Sequence, residues 1–576
     1  MVATATRARA EEPRIPWRAE ELVKQWQPGV PDSDALRVPQ PVTRDEKVQP
    51  VSLKDTIALA LENNPGIAAQ RLEPTRQGEG ILQAQAVFDP TLAAEAMQHH
   101  STTPNVNSLS GAGTLNVDDR TANVHLFKTF RPGTMATVDF LNERVDSNAR
   151  FNLLRPEYTT NLNLSIVQPL LRNFGWDFTY LVVRVAEQTA DAALYQYEAQ
   201  LANFVEQVIE AYWNVVGARE NVVVQRESKA LADRTVDENE ARVRVGLLPP
   251  VATLEAQADA KSREEQVLIA ENNLAIARQQ LAQLAFYRPD GTFVPRTLEP
   301  AEEAVPEEVA VDLDETLSVA LVERPEIAAS ARGVQAQILN ERIAGNGLLP
   351  RLDLIGSYGV NGVSGTSSGG TAATTFTSPI DLSGSPLFPG ARCTPRTGDF
   401  LCVVPSSRSR FAGPVSEAYE RLTSNDFRTY SFGLQFQVPL SNALARSQYA
   451  ATRISRDQAE LNHRQLLSQV TLEARQSTSD VQTTRQRIDT TRVARELAEE
   501  NLRNQQKRHE VGMATTKDLL DFQTRLTTAR AAEVQAKIDH ATAVARWRRA
   551  RGQLLTYYQV LVEHPARRSP PWFARF

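Results

Sequence analysis

Residues 428–438 read R-T-Y-S-F-G-L-Q-F-Q-V. In an extended chain Tyr430, Phe432, Leu434, Phe436 and Val438 fall on one side, and Thr429, Ser431, Gly433, Gln435 and Gln437 on the other. A period of two with one apolar and one polar side is the mark of a half-buried strand. Residues 158–168 repeat it, with Leu162, Leu164 and Ile166 against Asn161, Asn163 and Ser165. So do residues 351–360, from Leu352 and Leu354 to Tyr358 and Val360. A soluble sandwich would alternate in the same way. What separates the two readings is the rest of the chain, which holds few strands beside very long helical stretches. A few strands cannot cover their own apolar side. Strands of about ten residues, apolar outside and polar inside, suit a membrane barrel closed with copies from other chains.

Working outward, Val438-Pro439-Leu440 stops the strand, and proline suits the first turn of a helix. A helical run follows from about 442 to 511. It would span roughly 100 Å, more than one globular domain can bury, so it must lie beside other helices in a coiled coil or helical barrel. Two heptad-spaced tracks support this. One is Val470, Ser477, Thr484, Thr491 and Ala498; the other is Ala474, Val481, Ile488, Arg495 and Leu502. The run breaks within H-E-V-G-M-A-T-T-K-D-L-L-D-F-Q, residues 509–523. Val511-Gly512-Met513 makes the turn, and Thr515 or Thr516 caps a return helix that reaches about 556. Asp518 and Asp521 then share one face of its first turns.

Residues 311–325 read V-D-L-D-E-T-L-S-V-A-L-V-E-R-P, and residues 51–65 read V-S-L-K-D-T-I-A-L-A-L-E-N-N-P. In the earlier stretch Ser52 can cap a helix, with Asp55 at the capping-box position. Leu53 matches Leu313, Pro65 matches Pro325 and Pro90 matches Pro350, all at an offset of about 260. Gln168-Pro169-Leu170 parallels Val438-Pro439-Leu440, a second long helix runs from about 176 to 245, and Val245-Gly246-Leu247 makes a second tip. The chain reads as a tandem duplication. An N-terminal extension covers 1–50 and the first repeat 51–286, with strands over about 91–168 and a tip near 245–250. A linker covers 287–311 and the second repeat 312–560, with strands at 351–360 and 428–438 and a tip near 511–516. A tail covers 561–576. The first repeat adds strands at 91–99, 121–130 and 134–144, the last two forming a hairpin around Arg131-Pro132-Gly133. The fold class is mainly α with a membrane β-barrel: long antiparallel helical hairpins, plus strands given to a shared barrel.

Net charge is −6 and the pI near 5.8, so no basic excess points to nucleic acid. No run of about 18 apolar residues predicts a membrane helix. Cys393 and Cys402 lie in one loop rich in Gly, Ser, Thr and Pro, read as extracellular. They suit a local disulfide, with two free thiols as the alternative. The seven histidines, His99-His100, His463 and His509 among them, show no metal spacing. There is no phosphate loop and no nucleophile elbow, so no enzyme, cofactor or metal site is expected. Residues 1–12 lack an apolar segment, although Ala8-Arg9-Ala10 has the form of a cleavage-site end, so export would require a leader ahead of the given start.

The paired L-x-x-x-I/L-x-x-A-L-x-x-x-P openings, the two proline-marked strand entries, Gln168-Pro169-Leu170-Leu171 with Val438-Pro439-Leu440, and the two V-G tips resemble the TolC family of outer-membrane efflux proteins over about 51–560. The resemblance implies a homotrimer with a β-barrel in outer-membrane lipid, a periplasmic helical extension, and a channel through both. It implies a gate and selectivity ring at Asp518 and Asp521, where mutual repulsion would raise carboxylate pKa values. The other reading makes them first-turn acids favoured by the helix dipole. It implies docking of a periplasmic adaptor protein at Val245, Gly246, Leu247, Val511, Gly512 and Met513, with an inner-membrane pump engaged indirectly. The first tip departs from the pattern at Pro249-Pro250 and Ala252, and the second has Ala514 where a basic gating residue could stand. The added hairpin makes the barrel twelve- or eighteen-stranded. The cargo, small molecule, metal or polypeptide, is not written in the chain. The rival reading is a coiled-coil structural protein with no pore.

Overall fold

The computed structural model describes residues 49–104, 113–149, 152–285, 298–303, 305–368, 374–386, 391–404 and 409–562. The extension read over 1–50 and the tail over 561–576 lie almost wholly outside the described residues, as do residues 286–297 around the linker. In chain order the first half holds β1 (Gln49–Val51), α1 (Leu53–Asn63), α2 (Pro65–Gln85), β2 (Thr91–Pro104), β3 (Thr114–Thr129), β4 (Met135–Ser147), β5 (Leu154–Pro169), α3 (Leu181–Arg244) and α4 (Val251–Leu284). The second holds β6 (Leu298–Pro300), α5 (Leu313–Glu323), α6 (Pro325–Asn346), β7 (Arg351–Ser367), β8 (Thr374–Ser378), β9 (Arg392–Arg396), β10 (Asp399–Val404), α7 (Val415–Ser424), β11 (Arg428–Gln437), α8 (Ala443–Glu510) and α9 (Thr516–Ala550). The described residues form two compact units, one falling within Met1–Pro65 and Asn214–Glu303, the other within Gly66–Trp213 and Ala304–Phe576. The division crosses the sequence repeats, because α3 belongs partly to each unit.

In the first unit, Ser52 caps α1: its Oγ accepts the Asp55 N–H at 3.2 Å. Leu53, Ile57 and Ala60 form the buried stripe of that helix. β1 pairs in parallel with β6. Along α4, Ala252, Ala256, Ala260, Arg263, Val267, Ala270, Leu274, Ala277 and Leu281 are buried. Their spacing is four or three throughout, alternating from Ala256 onward, and the mainly small residues let a neighbouring helix approach closely. That neighbour is the later part of α3. Asn239 Nδ2 donates to the Ala252 carbonyl at 3.2 Å, and Arg226 pairs with Glu271 at 2.6 Å.

In the second unit, a six-stranded sheet has the order β11-β7-β5-β4-β3-β2, antiparallel throughout. It is open within one chain: no described strand pairs with the outer edge of β2 or of β11. The strands at 91–104, 114–129 and 351–367 are longer than the alternation predicts. Beyond the apolar stretch both faces become polar, as at His99-His100 and Asp118-Asp119-Arg120, so period two fades while the hydrogen-bond ladder continues.

The loop between β7 and β11 is also more ordered than a two-strand second repeat allows. β8, β10 and β9 form a small antiparallel sheet. Cys393 and Cys402 lie opposite one another in it and are joined by a disulfide. α7 packs on β5 and β7. Ala418 is fully buried, and a Cβ added at Gly362 would stand 1.9 Å from the Ala418 carbonyl oxygen and 2.8 Å from Thr160 Oγ1. Backbone cannot yield to such a contact as a side chain can. Gly362→Leu is therefore expected to unseat α7 and cost about 1–3 kcal/mol of stability. Limited proteolysis within residues 409–414 should speed up, and an unchanged cleavage rate would contradict this packing.

The two long helices α8 and α9 form an antiparallel pair. α8 has 68 residues, about 100 Å at 1.5 Å per residue. Val470, Ala474, Ser477, Val481, Ile488 and Leu502 are buried on it, members of both predicted heptad tracks. Val481 meets Ala543, Val544 and Trp547 of α9. Ion pairs flank the seam: Arg495 with Glu533 at 2.5 Å, and Arg530 with Glu499 at 3.1 Å. Among the described residues no helix is long and apolar enough to cross a membrane.

Candidate channel wall and helical tips

The register of the sheet sorts its residues onto two faces. Leu162 stands opposite Phe140 and Val360, Leu164 opposite Val138 and Tyr358, and Ile166 opposite Ala136 and Gly356. On the outer strands the same face carries Leu92, Val124 and Leu126 at one side, and Tyr430, Phe432, Leu434 and Phe436 at the other. Leu92, Val124, Leu126, Leu162, Leu164, Ile166 and the four β11 side chains are exposed in the single chain, Phe432 by 85%, while Val360 is buried. A continuous exposed apolar surface of this extent needs a partner or a membrane.

The opposite face is polar, and its residues bond to one another across strands. Asn123 Nδ2 donates to Glu95 Oε1 at 2.9 Å, and the His125 ring Nδ1 lies 2.7 Å from Asp139 Oδ1. Ser357 and Ser431 hydroxyls meet at 2.8 Å, and Asn361 Nδ2 donates to Thr429 Oγ1 at 3.3 Å. The sequence reading named none of the Glu95, His125 and Asp139 set. Only the register shows that these residues meet. At one end of the apolar face α7 takes over from exposed side chains. Tyr358 donates its hydroxyl to Asn425 Oδ1 at 2.6 Å, and the rings of Phe140 and Tyr419 lie 6.3 Å apart. Tyr358 and Tyr419 are about two-fifths exposed there and Tyr430 is 73% exposed, the placing expected of aromatics at a membrane interface.

The two tips are built alike. In the first, the Gly246 N–H donates to the Val243 carbonyl at 3.0 Å and the Leu247 N–H to Arg242 at 2.8 Å. In the second, Gly512 donates to His509 at 3.1 Å and Met513 to Arg508 at 2.8 Å. These bonds satisfy the last helical carbonyls, and they require a left-handed residue. Gly246 and Gly512 supply it, at φ of 79° and 76°. Each tip then holds two apolar side chains in solvent: Val245 and Leu247 at 69% and 74% exposure, Val511 and Met513 at 69% and 70%.

Beyond the turns the tips differ. α4 starts after Pro250, which has no capping side chain. α9 starts with a full capping box. Asp518 Oδ2 accepts from the Thr515 N–H at 3.1 Å and from the Thr515 hydroxyl at 2.7 Å, while Thr515 Oγ1 accepts the Asp518 N–H. These bonds from the Thr515 hydroxyl and backbone hold the Asp518 carboxyl below the usual carboxylate range, so it stays ionised to lower pH. Asp521 is exposed on the same helix face. Asp518 thus carries a structural role that Asp521 does not share. No group of three or more His, Cys, Asp or Glu side chains among the described residues could hold a metal ion.

The profile of the family described as "Outer membrane efflux protein" matches residues 56–285 and 405–553. Solved structures share the fold. The outer membrane channel CmeC of Campylobacter jejuni superposes with a TM-score of 0.56 at 16% identity, covering 90% of this chain and 94% of that one. The outer membrane protein VceC of Vibrio cholerae gives 0.58 at 16% identity, covering 87% and 96%. The open state of the outer membrane channel MtrE of Neisseria gonorrhoeae gives 0.56 at 16% identity, covering 90% and 94%. No curated protein matches the chain.

Proposed function

Because this chain belongs to the outer membrane efflux protein family, and so is an outer-membrane transport channel rather than an enzyme, we propose that it is the passive exit duct of a tripartite efflux or type I secretion assembly. The duct is a homotrimer. The sheets of three copies close a β-barrel in the outer membrane, and the α3–α4 and α8–α9 hairpins continue the channel into the periplasm. The observation that carries this is the two-faced, open-edged sheet in the same chain as helices of about 100 Å. The apolar face meets lipid, and the polar face with Glu95, His125 and Asp139 lines the water-filled lumen. The matched element order at an offset of about 260 supports descent from a duplicated half.

The tips are the docking points for the periplasmic adaptor. Their exposed Val245, Leu247, Val511 and Met513 suit an apolar partner surface, and the left-handed glycines keep both turns tight. The inner-membrane pump supplies the energy and selects the cargo. Asp518 and Asp521 form the periplasmic ring that favours cations. In planar bilayers the wild type is expected to show cation-selective steps. Asp521→Asn should lower the cation-to-anion permeability ratio severalfold at unchanged thermal stability, and adding Asp518→Asn should lower it further. Selectivity equal to wild type in the double variant would place the gate elsewhere. A folded trimer with no conductance would favour a coiled-coil structural protein.

A further inference from the structure

The sheet of one chain ends in two edges that match each other. β2 and β11 are solvent-exposed almost end to end. Past Arg428 at its start, β11 carries no charged residue and no proline over residues 429–437, and its register with β7 has no irregularity. An edge of this kind cannot stay open in hydrocarbon, where unpaired backbone groups find no water.

The direction of the strands identifies the partner. Neighbours in the sheet are antiparallel throughout, and their number is even, so β2 and β11 run in opposite directions. A rotated second copy therefore brings its β2 antiparallel to β11 of the first, and the same contact repeats until the ring closes. The two faces agree as well: Tyr430, Phe432 and Phe436 of β11 and Leu92, Ala94 and Ala96 of β2 lie on the apolar face, and Ser431 and Gly433 of β11 and Glu95 of β2 on the other, so in-phase pairing keeps one apolar and one polar side across the seam.

We propose that the wall is an eighteen-stranded barrel, six strands from each of three copies, sealed by antiparallel pairing of β11 in one copy with β2 in the next. The count rests on the trimer proposed above. It also rests on β3 and β4 standing in the wall, and both are paired along nearly their whole length. With strands about 4.8 Å apart and tilted about 40°, eighteen strands give a backbone diameter of about 36 Å, against about 24 Å for twelve.

Cysteine cross-linking of the full-length protein tests the seam. The chain's two native cysteines are joined to each other and leave no free thiol to interfere. Ser431→Cys is combined in turn with Ala93→Cys, Glu95→Cys and Met97→Cys, and each protein is treated with a short bis-maleimide. At least one pair should yield covalent dimers and trimers on a denaturing gel, while each single variant stays monomeric. Light scattering of the same samples separates the two ways to fail. A trimer with no ladder from any pair overturns the seam alone. A monomer overturns the trimeric duct and the seam with it. The strand count has its own arm: Thr137 and Ser165 stand directly opposite on β4 and β5. The Thr137→Cys, Ser165→Cys variant should lose both free thiols by cross-linking within one chain. Failure of that reaction in a protein that forms the ladder would remove the hairpin from the wall and leave twelve strands.

Discussion

Arg324→Ala is expected to destabilise the second unit by about 3–5 kcal/mol, the usual cost of removing one partner from a buried ion pair. Arg324 lies between α5 and α6, and its side chain is only 4% exposed. Its guanidinium donates to Glu473 of α8 at 2.6 Å and to Glu326 of α6 at 3.1 Å. Glu473 also accepts from Arg549 of α9, which pairs in turn with Glu206 of α3. Removing Arg324 leaves two carboxylates facing a buried gap. Arg324→Lys should recover part of the loss, because an ammonium keeps the charge but cannot bridge both acids with a planar fork. Burial pushes the Glu326 carboxyl up, but the hydrogen bond and charge of Arg324 outweigh it, and the net shift is below the ordinary 4.5. A carboxylate lowered in the folded state contributes fully above that value, and the contribution fades as pH falls through its own lower one. Wild-type stability should therefore drop on acidification below about pH 4.5, and the Arg324→Ala profile should be flatter there. Denaturant unfolding at pH 7 and pH 4 measures both. A variant within about 0.5 kcal/mol of wild type would refute the network.

Trp547→Ala should cost a similar amount, about 3–5 kcal/mol, for a different reason: a large cavity at a junction of elements. Trp547 is 5% exposed and packs on Val481, Ala543 and Val544, with Val309 and Val311 against the same cluster. Its indole Nε1–H donates to Thr316 Oγ1 of α5 at 3.1 Å, and the Arg551 guanidinium lies 4.6 Å from its ring centroid. It pins the end of the α8–α9 pair to α5. Trp547→Phe keeps most of the volume and loses the hydrogen bond, so about 1–2 kcal/mol is expected. Thermal unfolding should rank the proteins wild type, Phe, Ala. Equal losses for Phe and Ala would mean that the hydrogen bond, not the volume, holds the junction.

Where one side chain in two must avoid water, local order was readable from the residues. The alternation at 428–438 and 158–168, the heptad tracks through Val481 and Ile488, and the glycines at 246 and 512 each follow from a local rule. The strands outrun their alternation because a ladder continues where contrast between the faces ends, as at His99-His100. The small disulfide-joined sheet and α7 leave no local signal, because Gly, Ser and Pro in the loop hide short elements whose partners are distant. The docking of α7 depends on Gly362 and Ala418, far apart in the chain.

Element types, the repeated openings, the paired tips and the positions of the acids after the second tip are all legible in the residues, because periodicity, capping and turn chemistry act within a few residues. Tertiary packing alone settles that the added hairpin stands in the same sheet, that His125 meets Asp139, and that β2 and β11 are the two open edges. Those outcomes depend on strand register and side-chain direction, which are set by the summed packing of residues remote in the chain.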